Sequence, residues 1–176
     1  QGSSRGGRRR WRGVLDVSGL DRFDLSPEPW AWPIALVSLR SVGQSVLADR
    51  DGSGRPHYGI DLFAPASTPI LAAQAGRVVR IVDGRRSTES GKRRAGLWVD
   101  VLCGSLLCRY LHMGDVLIRV NQQIRRGALV GFLGENLNGA PHLHFEIRRS
   151  DAINGKYGDA LDPLLILPKR RNQDNV

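Results

Sequence analysis

From Trp32 onward the chain runs in short apolar segments of strand length: IALVSL (34–39), GIDLFA (59–64), PILAA (69–73), GRVVRIV (76–82), LWVDVL (97–102), SLLCRYLHM (105–113), ALVGFLG (128–134) and HLHFEIR (142–148). Glycine, proline, asparagine or charged residues separate most of them, and none keeps a 3.6-residue apolar period. This pattern predicts a mainly β domain built on a single antiparallel sheet. Residues 83–96, DGRRSTESGKRRAG, interrupt it as a long polar insertion with four arginines and a lysine, read as a surface loop.

Before Trp32 the pattern fails. Residues 1–13 are glycine, serine and arginine around Trp11, the composition of a flexible arm. Residues 14–25 suit a short helix or an irregular cover. The segment 26–33, SPEPWAWP, carries three prolines and cannot stay regular. The expected division is a basic arm over 1–25, one domain over 26–168 and a basic tail over 169–176. A chain of 176 residues fits one domain with a real core.

The net charge of +9 adds a constraint. Lys92, Lys156 and Lys169 are the only lysines, so arginine carries the excess. A basic surface favours anionic partners: nucleic acid, acidic lipid or an acidic cell-wall polymer. Solubilising charge with unstructured tails explains it equally well. No helix-turn-helix, zinc-finger or RNA-binding signature promotes nucleic acid. No apolar run of about 18 residues predicts a membrane-spanning helix. The chain begins at Gln1 and shows no signal peptide, so its location cannot be read directly.

The two cysteines, Cys103 and Cys108, flank Gly104-Ser105, which reads as a hairpin turn. Folding back there brings the thiols together, as a cross-strand disulfide or as two buried reduced cysteines. Their spacing does not suit a zinc knuckle.

The chain has four histidines. His142 and His144 are two apart, so in a strand they share one face while Leu143 points to the core. His57 precedes Asp61 by four residues, and His112 ends a strand just after Tyr110. Each lies in a short segment that carries a glycine or a proline.

These motifs together resemble the lysostaphin-type, LytM-like zinc metallopeptidases that cut peptidoglycan. HYGID (57–61) matches the family's HxxxD, YLH (110–112) its Tyr-x-His, and PHLHFE (141–146) its last motif. APASTPILAAQAGRVV (64–79) and GALVGFLGENLNGAPHLHFE (127–146) are similar to the stretches between them. The likeness spans about Trp32 to Pro168. Ser67 stands where the family commonly has glycine, SVGQSV (41–46) lacks an arginine often found there, and the 83–96 loop is long.

The resemblance implies a sheet of the duplicated-hybrid-motif type with an open groove walled by loops 44–56, 83–96, 114–124 and 134–141. It implies one zinc ion per chain, held by His57, Asp61 and His144, with His112 and His142 as the catalytic pair. Two imidazoles and one carboxylate leave tetrahedral zinc one open position, the mark of a catalytic site. A neutral histidine beside it can relay a proton to the leaving amine. A second histidine or the metal can stabilise an oxyanion. Which histidine takes which role is open.

Tyr110, Asn136 and Asn138 are candidate substrate-groove positions. Core packing suits Tyr110 as well, and turn formation is the plainer reading of the asparagines. Glu146 shares the face of His142 and His144; a rim ion pair with an arginine is favoured over a role in orienting a ligand.

The expectation is a zinc endopeptidase hydrolysing peptidoglycan cross-links, periplasmic, secreted or wall-associated because its substrate is there. The arginine-rich surface would hold anionic wall polymers or outer-membrane lipid. The alternative is a non-catalytic LytM-like module that binds the wall or activates an amidase; retention of all five motif residues argues against it. A basic nucleic-acid-binding domain is the third reading.

Overall fold

The computed structural model describes residues 29–35, 38–43, 46, 56–135, 139–149 and 160–170. Among them the strands are β1 (Ser41–Val42), β2 (Ile60–Phe63), β3 (Pro69–Leu71), β4 (Gly76–Asp83), β5 (Leu97–Cys103), β6 (Leu106–Val116), β7 (Gln123–Ile124), β8 (Leu129–Leu133), β9 (His142–Arg149) and β10 (Ala160–Leu161). One helix, α1 (Ser90–Ala95), and a short 3₁₀ turn (Pro163–Leu165) complete them. Every described pairing is antiparallel. The main path is β1-β2-β9-β6-β5-β4-β7; β10 adds to β9, and β3 joins through β8 to β6. The protein is therefore mainly β, a single antiparallel sheet with few helices.

Period-2 alternation fixes which side chains enter the core. On β9, Leu143, Phe145 and Ile147 are fully buried. Phe145 pairs with Tyr110 of β6, their rings 5.2 Å apart. Burying side chains of this size contributes about 1.5–3 kcal/mol each. Tyr110 is also fully buried, and its hydroxyl accepts a hydrogen bond from the Ala73 backbone N–H at 2.9 Å. The expectation that Tyr110 lines a groove is corrected: its parity and its hydroxyl partner place it in the core.

The β5–β6 hairpin turns at Gly104-Ser105 as the sequence suggests, with φ of 61° at Gly104, a conformation glycine adopts without steric cost. Cys103 and Cys108 are buried as free thiols, their sulfurs 3.5 Å apart.

Near its middle β6 departs from regular pairing. Val99 faces Tyr110 and Leu97 faces Met113, so Leu111 and His112 both stand opposite Trp98. This is a β-bulge, and His112 takes a left-handed φ of 65° within it. The bulge sits where β6 changes neighbours: β9 pairs with it as far as Leu111, and β8 takes over at Met113.

One strand expectation and one loop expectation change. In IALVSL the described residues form turns instead: Ser38 N–H bonds Ala35 C=O, and Ile34 is buried as core cover. The 83–96 insertion contains α1, whose residues Ser90–Arg94 are exposed. Its ends are tied by Gly84 N–H to Gly96 C=O. Ser67 has φ of 63°, which explains why glycine suits that position. The arm over 1–25, the segment 14–25, Asn136, Asn138 and residues 171–176 lie outside the described residues, as does most of the 44–56 loop. None of the described helices is long and apolar enough to cross a membrane.

Candidate metal centre

Strands β2 and β9 bring the first two motifs together. Asp61 lies opposite His144 in their register. Gly59 permits this approach: a Cβ there would lie 2.2 Å from the Phe145 carbonyl oxygen. His57, just before β2, closes over the pair.

Three donor atoms converge at that point: His57 Nε2, Asp61 Oδ1 and His144 Nδ1. The two ring nitrogens are 2.9 Å apart, His144 Nδ1 is 2.9 Å from Asp61 Oδ1, and His57 Nε2 is 3.1 Å from it. All three residues are buried. Four ligands at 2.0–2.1 Å from tetrahedral zinc lie about 3.3 Å from one another, so this triangle is close to one face of such a tetrahedron.

The protons support a cation there. His144 Nε2 lies 3.0 Å from Glu146 Oε1, and an ionised carboxylate only accepts. His144 therefore donates from Nε2, and in the neutral ring Nδ1 carries the lone pair. That lone pair faces a second acceptor, Asp61 Oδ1. Burial opposes charge on His144, but the hydrogen bonds and charges of Asp61 and Glu146 outweigh it and raise its pKa. Burial likewise pushes Asp61 up, yet hydrogen bonds with His144 and His57 hold it far below the usual carboxylate range. The site favours positive charge at its centre, and its donors could hold a metal ion.

His142 and His112 stand beside the triangle. His142 Nδ1 donates to the Ala140 carbonyl at 3.0 Å, and Nε2 lies 3.7 Å from Asp61 Oδ1. The His112 ring is 4.9 Å from that of His142 and 6.1 Å from that of His144. Strict alternation would send His112 to the core with Tyr110. The bulge turns it to the opposite face. Gly134 helps hold it, with its N–H bonding the His112 carbonyl at 3.0 Å.

The reading of Glu146 as a rim ion pair is corrected. Glu146 is buried, accepts from His144, and is paired with Arg148 Nε at 2.5 Å. Burial pushes its carboxyl up, but His144 and Arg148 bring it down to about 2. Arg148 lies over the Tyr58 ring at 5.6 Å. Sequence reasoning also passed over Asp100, which is fully buried between Arg80 and Arg109. Its signal was a lone charge within the apolar run LWVDVL, since such residues are almost never fully buried unless paired.

Two histidines and an aspartate thus converge at the face of an antiparallel sheet, a set of donors that could hold a metal ion. The model of peptidase family M23 matches residues 55–163, more than half the chain, and the chain belongs to that family. It is 31% identical over 142 residues to the lipoprotein NlpD/LppB homolog of Pseudomonas aeruginosa, covering 80% of this chain and 40% of that protein. It is 32% identical over 95 residues to the peptidoglycan DD-endopeptidase ShyA of Vibrio cholerae, covering 52% of this chain and 20% of that protein. The catalytic domain of the antimicrobial peptidase lysostaphin from Staphylococcus simulans has a similar fold, with a TM-score of 0.60 at 23% identity, covering 71% of this chain and 90% of that one. The chain thus spans well under half the length of these curated relatives.

Proposed function

We propose that the protein is a zinc endopeptidase that hydrolyses peptide cross-links of peptidoglycan outside the cytoplasm. The observation that carries this is the convergence of His57 Nε2, Asp61 Oδ1 and His144 Nδ1, with His112 and His142 alongside. A nitrogen-rich set of two imidazoles and a carboxylate suits zinc and leaves a position open. Zinc held by these residues would supply Lewis acidity, enough to polarise a scissile carbonyl and to make water acidic near neutral pH.

The protein's own groups do the rest. Glu146 fixes the His144 tautomer so that Nδ1 faces the metal position. The Ala140 carbonyl accepts a hydrogen bond from His142 Nδ1–H, leaving Nε2 to accept the proton of the attacking water and return it to the leaving amine. His112 faces the same space and donates to the developing oxyanion. Membership of family M23 and the likeness to a peptidoglycan DD-endopeptidase support the substrate class.

The test combines metal content with turnover. Purified without a histidine tag, the protein is expected to hold about one zinc per chain and to release soluble fragments from purified peptidoglycan. His142→Ala is expected to keep the zinc and lose at least a hundredfold of the rate, the scale of a general acid–base contribution. Zinc without cleavage of any wall type would point instead to a binding or amidase-activating module. Absence of zinc would sink the metal reading.

Exposed Arg85, Arg86, Lys92, Arg93 and Arg94 on the 83–96 insertion provide a basic surface for anionic wall polymers or lipid. Wall retention should then fall with rising salt while cleavage of a soluble peptide holds. Salt-independent retention would remove this role.

A further inference from the structure

A row of alternating charge crosses the sheet to the metal centre. Arg80 on β4 is the register partner of Asp100 on β5, Asp100 of Arg109 on β6, and Arg109 of Glu146 on β9. The contacts along it are unequal. Arg109 grips Asp100 at two points, Nε to Oδ1 at 2.7 Å and Nη2 to Oδ2 at 3.0 Å. Arg80 Nε reaches the same carboxylate at 2.9 Å. Arg109 comes only within 3.7 Å of Glu146, at Oε2. Glu146 Oε2 is taken by Arg148, and Oε1 goes to His144 Nε2.

Arg109 thus sits between two carboxylates and is committed to one. A guanidinium fork binds a carboxylate best through two parallel bonds. Released from Asp100, Arg109 would find Glu146 within a small side-chain movement. A two-point grip there would claim Oε1, the atom that accepts from His144. That would cost His144 the hydrogen bond that aims Nδ1 at the metal position.

We propose that Asp100 is a positioning residue for the metal centre: it holds Arg109 away from Glu146 and so leaves Glu146 Oε1 to His144. The inference rests on the zinc reading above but concerns metal affinity, not turnover. Burial of Asp100 beneath two arginines, in the middle of an otherwise apolar strand, is costly to maintain and is accounted for by this role.

The test is zinc affinity by competition with a chromogenic chelator, on the 176-residue chain with its folding checked by thermal denaturation. Glu146→Gln should weaken zinc binding tenfold to a hundredfold, as loss of a carboxylate behind a metal-bound histidine does. Asp100→Asn, at a distance from the metal, should weaken it about tenfold, the low end of that range. The double variant Asp100→Asn/Arg109→Gln should recover to within about threefold of wild type, because the competitor is gone. If Asp100 merely stabilises the sheet, the double variant binds zinc no better than Asp100→Asn, and the proposal falls.

Arg109→Gln alone covers the case in which Asp100→Asn does not fold. Affinity within about threefold of wild type supports the proposal; a loss matching that of Glu146→Gln overturns it, because Arg109 then supports Glu146 and does not compete. Wild-type protein that binds no zinc removes the zinc reading and this inference together. Zinc binding that depends on Glu146 but not on Asp100 removes only the inference.

Discussion

The two faces of β9 are both buried and are built on opposite principles. Leu143, Phe145 and Ile147 face an apolar core, where burial is non-directional and cost follows volume. His144, Glu146 and Arg148 face the other way, and each is hydrogen-bonded to a specific partner. On the first face a smaller side chain leaves a cavity. On the second, a lost partner leaves a charge in a low-dielectric place. The apolar face gives the sheet its stability, and the charged face aims atoms.

The comparison can be broken experimentally. Phe145→Ala should cost about 3–5 kcal/mol of stability in denaturant unfolding. A loss below about 1 kcal/mol would mean that the core relaxes around Phe145 instead of depending on it. Arg148→Ala should cost about 3 kcal/mol or more, because it exposes the buried Glu146 carboxylate to an unbalanced environment. It should also weaken zinc binding, which Phe145→Ala should change far less. Equal effects of the two variants on zinc would erase the distinction between the faces.

A smaller effect is expected at Ser67. Its φ of 63° is uncomfortable for any residue with a Cβ. Ser67→Gly should therefore be neutral or stabilising by up to about 1 kcal/mol, despite glycine's greater freedom when unfolded. Marked destabilisation would show that the serine side chain matters more than the backbone.

The smallest effect belongs to a surface pair. Asp83 is held at about 2, below its ordinary 3.8, chiefly by the hydrogen bond from Arg85. A depressed carboxyl contributes stability above pH 3.8 and loses it as pH falls from 3.8 towards 2. Both partners are half exposed, so solvent and salt screen the pair. Asp83→Asn should barely move the melting temperature at pH 7, and should remove a slight dependence between pH 4 and 2. A large shift would mean that exposed pairs in this protein behave like the buried row.

Much of this could be read from the sequence, for local reasons. Strand-length apolar runs fixed the β class, because alternation is a property of the extended backbone. HLH put two imidazoles on one face for the same reason, and HYGID kept His57 within reach of Asp61. The same parity argument pointed Glu146 towards His144, but it did not say whether that face was wet. A rim ion pair was favoured because charged residues are seldom buried, and the dry site comes from Arg148, Arg109 and the neighbouring strands.

What the tertiary structure alone decided is non-local. Parity sends His112 to the core with Tyr110, and only a bulge opposite Trp98, at the point where β6 exchanges β9 for β8, turns it to the other face. The row from Arg80 to Glu146 needs the register of four strands, which no single segment carries. The sequence determined which residues can do the chemistry, because side-chain type and two- or four-residue spacing are local. The fold determined where they meet and how dry the site is, because register, bulges and burial arise from contacts between distant parts of the chain.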